Sequence, residues 1–218
     1  MARIGVILSG SGFLDGAEIT EAVSTLVALD RAGAEIVCMA PDADQRQVVD
    51  HRTGKPTGET RNVLVEAARI ARGKIAPLSE VDPASLDGIV MPGGFGAALN
   101  LSSFALEGPK ASIREDVAGM LRAVHAAGKP IGAICIAPAL VALALGDEGP
   151  TITIGEDAGT AQALEALGAH HQTCPVERAV TDEAKKIVTC PAYMYDARPS
   201  EVAAGIEKLV GEVLRLAR

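Results

Sequence analysis

Three short blocks of this chain carry residue types that do chemistry together. Lys129–Leu140 reads KPIGAICIAPAL. A short apolar strand, Pro130 to Ile134, reaches Cys135, and Ala137-Pro138-Ala139-Leu140 then opens a helix, since proline is well tolerated in a first helical turn. A cysteine at such a junction is presented at the carboxyl edge of a sheet, as at a nucleophile elbow. The helix behind it aims free N–H groups at the sulfur, which favours thiolate over thiol. The second block is the strand Asp87–Met91, which ends in Pro92-Gly93-Gly94-Phe95-Gly96. Glycines let the backbone approach closely, and the N–H groups of Gly93 and Gly94 are candidates to hold an oxyanion together with that of Ile136. The third block is the loop Ser9–Gly16 with Glu18 beyond it. Asp15 and Glu21 compete with Glu18 for the role of acid. Glu18 is preferred because it stands at a helix entrance, facing back toward the strand edge.

Each block also has a structural reading: a small buried thiol, a tight turn, a solvated first-turn acid. What sets them apart is their shared place. All three follow strands, and open α/β sheets bind ligands outside the carboxyl ends of their strands. Cysteine, oxyanion donors and an acid together describe a nucleophilic site.

The elements that must position these groups follow from periodicity. Arg3–Leu8 reads as a strand, and Ile19, Ala22, Val23, Leu26 and Val27 as the apolar stripe of a helix ending at Gly33. Glu35–Ala40 is a second strand, so the opening is β-loop-α-β and the sheet is parallel with right-handed crossovers. Asp42 to Arg61 breaks the rhythm as a surface excursion with a hairpin at Thr53-Gly54. Val63–Ala71 is a helix and Lys74–Leu78 a short strand. Ala97–Pro109 is a long loop or broken helix, and Ile113–Ala127 a helix closed by Gly128. Thr151–Ile154 is a strand, and Asp157 caps a helix through Leu167. A hairpin turns at Thr181-Asp182-Glu183, and Ser200 caps the final helix. No repeat, low-complexity stretch or linker interrupts the chain, so residues 1–218 are expected to form one domain.

Composition narrows the class. Hydrophobic residues make up 48 % of 218 residues, yet aromatics only 2 %, with no Trp. Such a core is Ala, Val, Leu and Ile, which suits a parallel sheet buried on both faces. A net charge of −8 argues against nucleic acid or an anionic membrane as partner. The first strand is too short for a signal peptide, and no run approaches membrane-spanning length. Four cysteines without C-x-x-C pairing fit a reducing, cytoplasmic setting. His170-His171 with Cys174 and Cys190 matches no zinc spacing, so no metal is expected and His171 reads as a hydrogen-bonded loop residue. Gly10-Ser11-Gly12 reaches Gly16 one residue off the dinucleotide pattern, so no cofactor is expected either.

The blocks AICIAPAL and PGGFG resemble the PfpI superfamily, with its class I glutamine-amidotransferase-like fold. More closely, ILSGSGFLDGAEI, ETRNVLVEAARI, MPGGFGAALNLS, CIAPA and CPAYM resemble its ElbB-like, isoprenoid-biosynthesis-associated and glyoxalase-like group. The likeness spans nearly the whole chain. It implies a three-layer α/β sandwich, flavodoxin-like with a mostly parallel central sheet, a homodimer, a nucleophilic Cys135 and a protonated Glu18 on its sulfur.

The chain departs from that pattern where hydrolytic relatives need it most. Ile136 stands where many relatives place a His after the cysteine, and no His is followed two residues on by Glu. Without a Cys-His-acid triad, glutaminase activity and the hydrolysis of unactivated amides are not expected. An aldehyde needs less help, because it is a strong electrophile that expels no amine. The expected activity is therefore a cofactor-free glyoxalase, turning small 2-oxoaldehydes (methylglyoxal, glyoxal) into 2-hydroxy acids. Cys135 forms the hemithioacetal, Glu18 shuttles the proton, and Asn100 and His171 stand as pocket-rim candidates. The rival expectation is a cysteine-based oxidation sensor, or a dimeric binding scaffold with little turnover.

Overall fold

Apolar runs buried along their whole length make up the middle of the molecule. The computed structural model describes residues 1–218. In chain order, β1 (Arg3–Ile7), α1 (Ile19–Arg31) and β2 (Glu35–Ala40) are followed by the hairpin β3 (Val49–Asp50) and β4 (Lys55–Pro56). Then come α2 (Val63–Ile70), β5 (Ala76–Pro77), β6 (Gly88–Met91), α3 (Phe95–Leu99), α4 (Phe104–Glu107) and α5 (Glu115–Ala126). The second half runs β7 (Ile131–Ile134), α6 (Pro138–Leu145), β8 (Thr151–Ile152), α7 (Ala158–Ala166), β9 (His170–His171), β10 (Val180–Asp182), β11 (Ile187–Cys190) and α8 (Pro199–Leu216).

Seven strands form one sheet in the order β10-β11-β7-β6-β1-β2-β5. Every pair is parallel except β10 with β11. β6, β7 and β11 are buried at all positions, as a sheet covered on both faces requires. One face carries α1, α2 and α8 through residues such as Leu29, Ala67 and Leu209. The other carries α3, α5, α6 and α7 through Ala97, Leu121, Leu140 and Leu164. This is the expected three-layer α/β sandwich. From β1 the chain winds outward to β2 and β5, then crosses back to β6, β7 and β11. The switch point lies between β1 and β6, where such sheets bind ligands.

Several local expectations shift. The hairpin at Thr53-Gly54 forms, with Gly54 at φ +68°. Ala97–Pro109 is a broken helix, α3 and α4. His170–His171 is not a loop but β9, paired in parallel with β8. The β10–β11 turn falls after Asp182, whose carboxylate accepts the Lys185 N–H at 3.1 Å and so fixes a later turn than sequence suggests. Ser200 does not cap α8. The cap is Arg198, Pro199 takes the first helical position, and Glu201 accepts the Arg198 N–H at 2.8 Å. The largest shift is in α1. Its apolar residues Ile19, Val23 and Val27 stay 48 %, 44 % and 41 % exposed, while Glu21, Ala22, Thr25 and Leu29 are buried. α1 packs against α8. Apolar residues on two helix faces do not say which face turns inward.

Candidate active site

Cys135 takes the conformation that an elbow demands. Its φ is +61°, one of four non-glycine residues at positive φ. A left-handed cysteine costs of order 1 kcal/mol and persists only where its surroundings fix it. Here its N–H donates to the Cys190 carbonyl at 2.9 Å, tying the elbow to the end of β11. The side chain is 7 % exposed and opens onto a cavity of about 580 Å³. The backbone amides of Gly94 and Ile136 lie close enough to the sulfur to favour its charged form.

Gly93 has a different task. Its N–H donates to Glu21 Oε2 at 2.9 Å, so it is unavailable to an oxyanion. A Cβ on Gly93 would meet Cys135 Cβ at 2.6 Å and Glu21 Oε2 at 2.9 Å. Only a glycine lets cysteine, carboxylate and the end of β6 converge. Gly94, at φ +89°, is equally constrained: a Cβ there would lie 2.5 Å from the Glu18 nitrogen. The Glu18 N–H in turn donates to the Gly93 carbonyl at 3.0 Å, locking the start of α1 to the end of β6.

The acid against the thiol is therefore Glu21, not Glu18. Glu21 is fully buried, and its second oxygen accepts the Tyr193 N–H at 3.3 Å. Burial, and then the charge of Glu18, push its carboxyl up to about 8. Glu18 is the N-cap of α1: its Oε2 accepts the Glu21 N–H at 2.7 Å. It is half-buried and lines the cavity, and burial raises its carboxyl against the pull of the first-turn amides. A sequence signal for Glu21 existed. It shares a face with Ala22, Thr25 and Leu29, and a carboxylate on a face otherwise small and apolar needs a partner.

The thiol also differs from expectation. Burial, and secondly the Glu21 charge, push Cys135 well above the ordinary thiol range, while the Gly94 and Ile136 amides pull it down. The helix dipole does not prevail over desolvation in this enclosed site. In both groups burial favours the protonated form.

The two rim candidates lie elsewhere. Asn100 is buried and acts as a brace: its amide donates to the Ser9 and Asp15 carbonyls at 2.9 and 2.8 Å and accepts the Arg46 N–H at 2.9 Å. His171 sits in β9 with a buried Nε2 that has no hydrogen-bond partner. Neither lines the cavity at Cys135. In the Ser9–Gly16 loop the N–H groups of Gly12 and Gly16 donate to the Ala17 and Gly12 carbonyls, so they are spent on holding the loop.

Known proteins are similar to this chain along nearly its full length. The family model described as the DJ-1/PfpI family matches residues 12–190. The human protein called glutamine amidotransferase-like class 1 domain-containing protein 3, mitochondrial, is 46 % identical, over 99 % of this chain and 83 % of its own length. The zebrafish (Danio rerio) ES1 protein, mitochondrial, is 32 % identical, over 98 % of this chain and 86 % of its own. Among solved structures, an isoprenoid biosynthesis protein with amidotransferase-like domain from Ehrlichia chaffeensis superposes with a TM-score of 0.93 at 37 % identity, covering all of both chains.

Proposed function

The chain belongs to the DJ-1/PfpI family, and from that premise we propose that it is a cofactor-free, glyoxalase-like enzyme acting on 2-oxoaldehydes through Cys135. The observation that carries this reading is a left-handed cysteine that opens onto a cavity lined by Glu18, Gly94 and Ile136, with the buried carboxyl of Glu21 behind it. Nucleophile, proton carrier and oxyanion donors are the minimum set for addition to a carbonyl.

The two glutamates act differently. Glu21 keeps its proton beneath the sulfur; as sulfur bonds to the aldehyde carbon the thiol proton passes to the carbonyl oxygen, whose developing charge the Gly94 and Ile136 N–H groups hold. Glu18, the one carboxylate on the cavity wall, moves the proton from the former aldehyde carbon to its neighbour. The hemithioacetal thereby becomes a thioester of a 2-hydroxy acid. Water cleaves that thioester, adding its hydroxyl to the acyl carbon and returning a proton to sulfur. The sum is one aldehyde plus one water giving one 2-hydroxy acid. The proposal includes the homodimer implied by the family resemblance and a link to isoprenoid metabolism.

Purified protein with methylglyoxal tests the reading. Hydroxy acid should form at a rate that Cys135→Ala lowers at least about a hundredfold, a loss in keeping with removal of the nucleophile. Equal rates for the two proteins would reject it.

A further inference from the structure

The chain is poor in aromatic residues, with three Phe and two Tyr. Phe13, Phe95, Phe104 and Tyr193 all line the Cys135 cavity. Concentrating four of five aromatics around one sulfur is not what folding requires, since the core is otherwise aliphatic. Two of them sit poorly for the free protein: Phe13 and Phe95 remain 47 % and 48 % exposed at this cavity. Phe13 is nonetheless held in place. Its ring meets the His51 ring edge-on at 5.5 Å, and His51 Nε2 accepts the Leu14 N–H at 3.2 Å. Anchored aromatic rings left open beside a reactive group are the mark of a surface that an apolar ligand covers.

Charge points the same way. The lining includes no Lys, Arg or His, and its one ionisable carboxylate is Glu18. An anionic substrate, whether a 2-oxo acid or a phosphorylated compound, would meet no cation there and would be repelled by Glu18 when ionised. The same feature favours release of a hydroxy-acid product, which leaves as an anion. At about 580 Å³ the cavity is in the range of sites for ligands much larger than methylglyoxal.

We infer that the ligand of this site is an uncharged carbonyl compound with an extended hydrocarbon or aromatic body, seated on the four aromatic rings with its carbonyl at Cys135. The inference rests on the reading of Cys135 as a nucleophile toward carbonyls, and it names the substrate class for that site.

Labelling rates test it without relying on turnover. Alkylation of Cys135 by iodoacetamide, N-benzyl-iodoacetamide and iodoacetate forms the S–C bond with loss of iodide and of the thiol proton. Each rate is measured by peptide mass and divided by the same reagent's rate with glutathione. The benzyl reagent should exceed iodoacetamide by at least about tenfold, since each buried methylene is worth roughly fourfold, and iodoacetate should fall below iodoacetamide by about as much. Phe104→Ala should shrink the benzyl advantage. Should that variant not fold, Thr160→Arg, on the same wall, should raise the iodoacetate ratio several-fold. Normalised rates within about twofold of one another, an advantage for iodoacetate, or no labelling of Cys135 by any reagent would overturn the inference. Methylglyoxal and a pentyl-bearing 2-oxoaldehyde, run side by side, separate the two levels. Turnover of neither sinks the catalytic reading while the labelling ratios still decide the ligand class. Turnover of both with no preference for the pentyl compound sinks the ligand class alone.

Discussion

Glu21 and Glu18 stand three residues apart in one helix turn, yet the fold gives them different surroundings. Glu21 is sealed beneath Cys135, and Glu18 opens onto the cavity. A buried carboxyl held near 8 is a proton donor and acceptor in the neutral range. A carboxylate beside a thiol costs the thiolate dearly, so Glu21→Gln should lower the apparent pKa of Cys135 in iodoacetamide alkylation. The pH–rate profile checks this, and an unchanged or higher value would show that the Glu21 charge does not govern the sulfur. Burial opposes the thiolate, and it is the thiolate that attacks peroxide or a carbonyl, so either reaction at Cys135 must shed the sulfur's proton as the new bond forms.

At the scale of elements, the elbow is the costly feature. The β7–α6 junction holds Cys135 at φ +61°, and the β6–α3 junction holds Gly94 at φ +89°. Cys135→Gly should therefore be more stable than Cys135→Ala by about 1 kcal/mol, since only glycine takes that conformation without strain. Paired thermal or urea melts read the difference, and equal midpoints would remove strain from the account. The chain's KPIGAICIAPAL block made this junction legible, because apolar strand, cysteine and proline-opened helix are local signals. The choice between Glu18 and Glu21 was carried only by the face that Glu21 shares with Ala22, Thr25 and Leu29, against a competing apolar stripe. Helical phase is set by where α1 packs on α8, and an apolar stripe of Ile19, Val23 and Val27 points away from that contact.

For the whole molecule, the buried acid links folding to pH. Glu21 titrates near 4.5 when exposed and near 8 when folded. Its contribution to stability is fully present below about 4.5 and is lost as pH rises through about 8. That loss is at most about 5 kcal/mol at some 1.4 kcal/mol per pKa unit. Glu21→Gln should flatten the fall in stability across this window, as denaturant midpoints at several pH values would register; parallel curves for the two proteins would refute it. Assembly is tested separately. Sedimentation equilibrium should give twice the 22.3 kDa chain mass, with the outward Ile19, Val23 and Val27 as apolar surface for a second copy to cover. A single-chain mass at micromolar concentration would end the dimer proposal.

Sequence alone determined the parallel α/β sandwich, the cysteine elbow and the glycine pair, because apolar runs, turn residues and helix openings act over a few neighbours. Tertiary structure decided what lies across gaps of tens of residues. It paired Glu21 with Gly93 and Tyr193 beneath the sulfur, and withdrew Gly93 from the oxyanion site. It turned Asn100 and His171 away from the cavity, and gathered four scattered aromatics around it. It also raised the thiol that the helix end alone would have lowered, since desolvation depends on everything packed around a group and not on its neighbours in the chain.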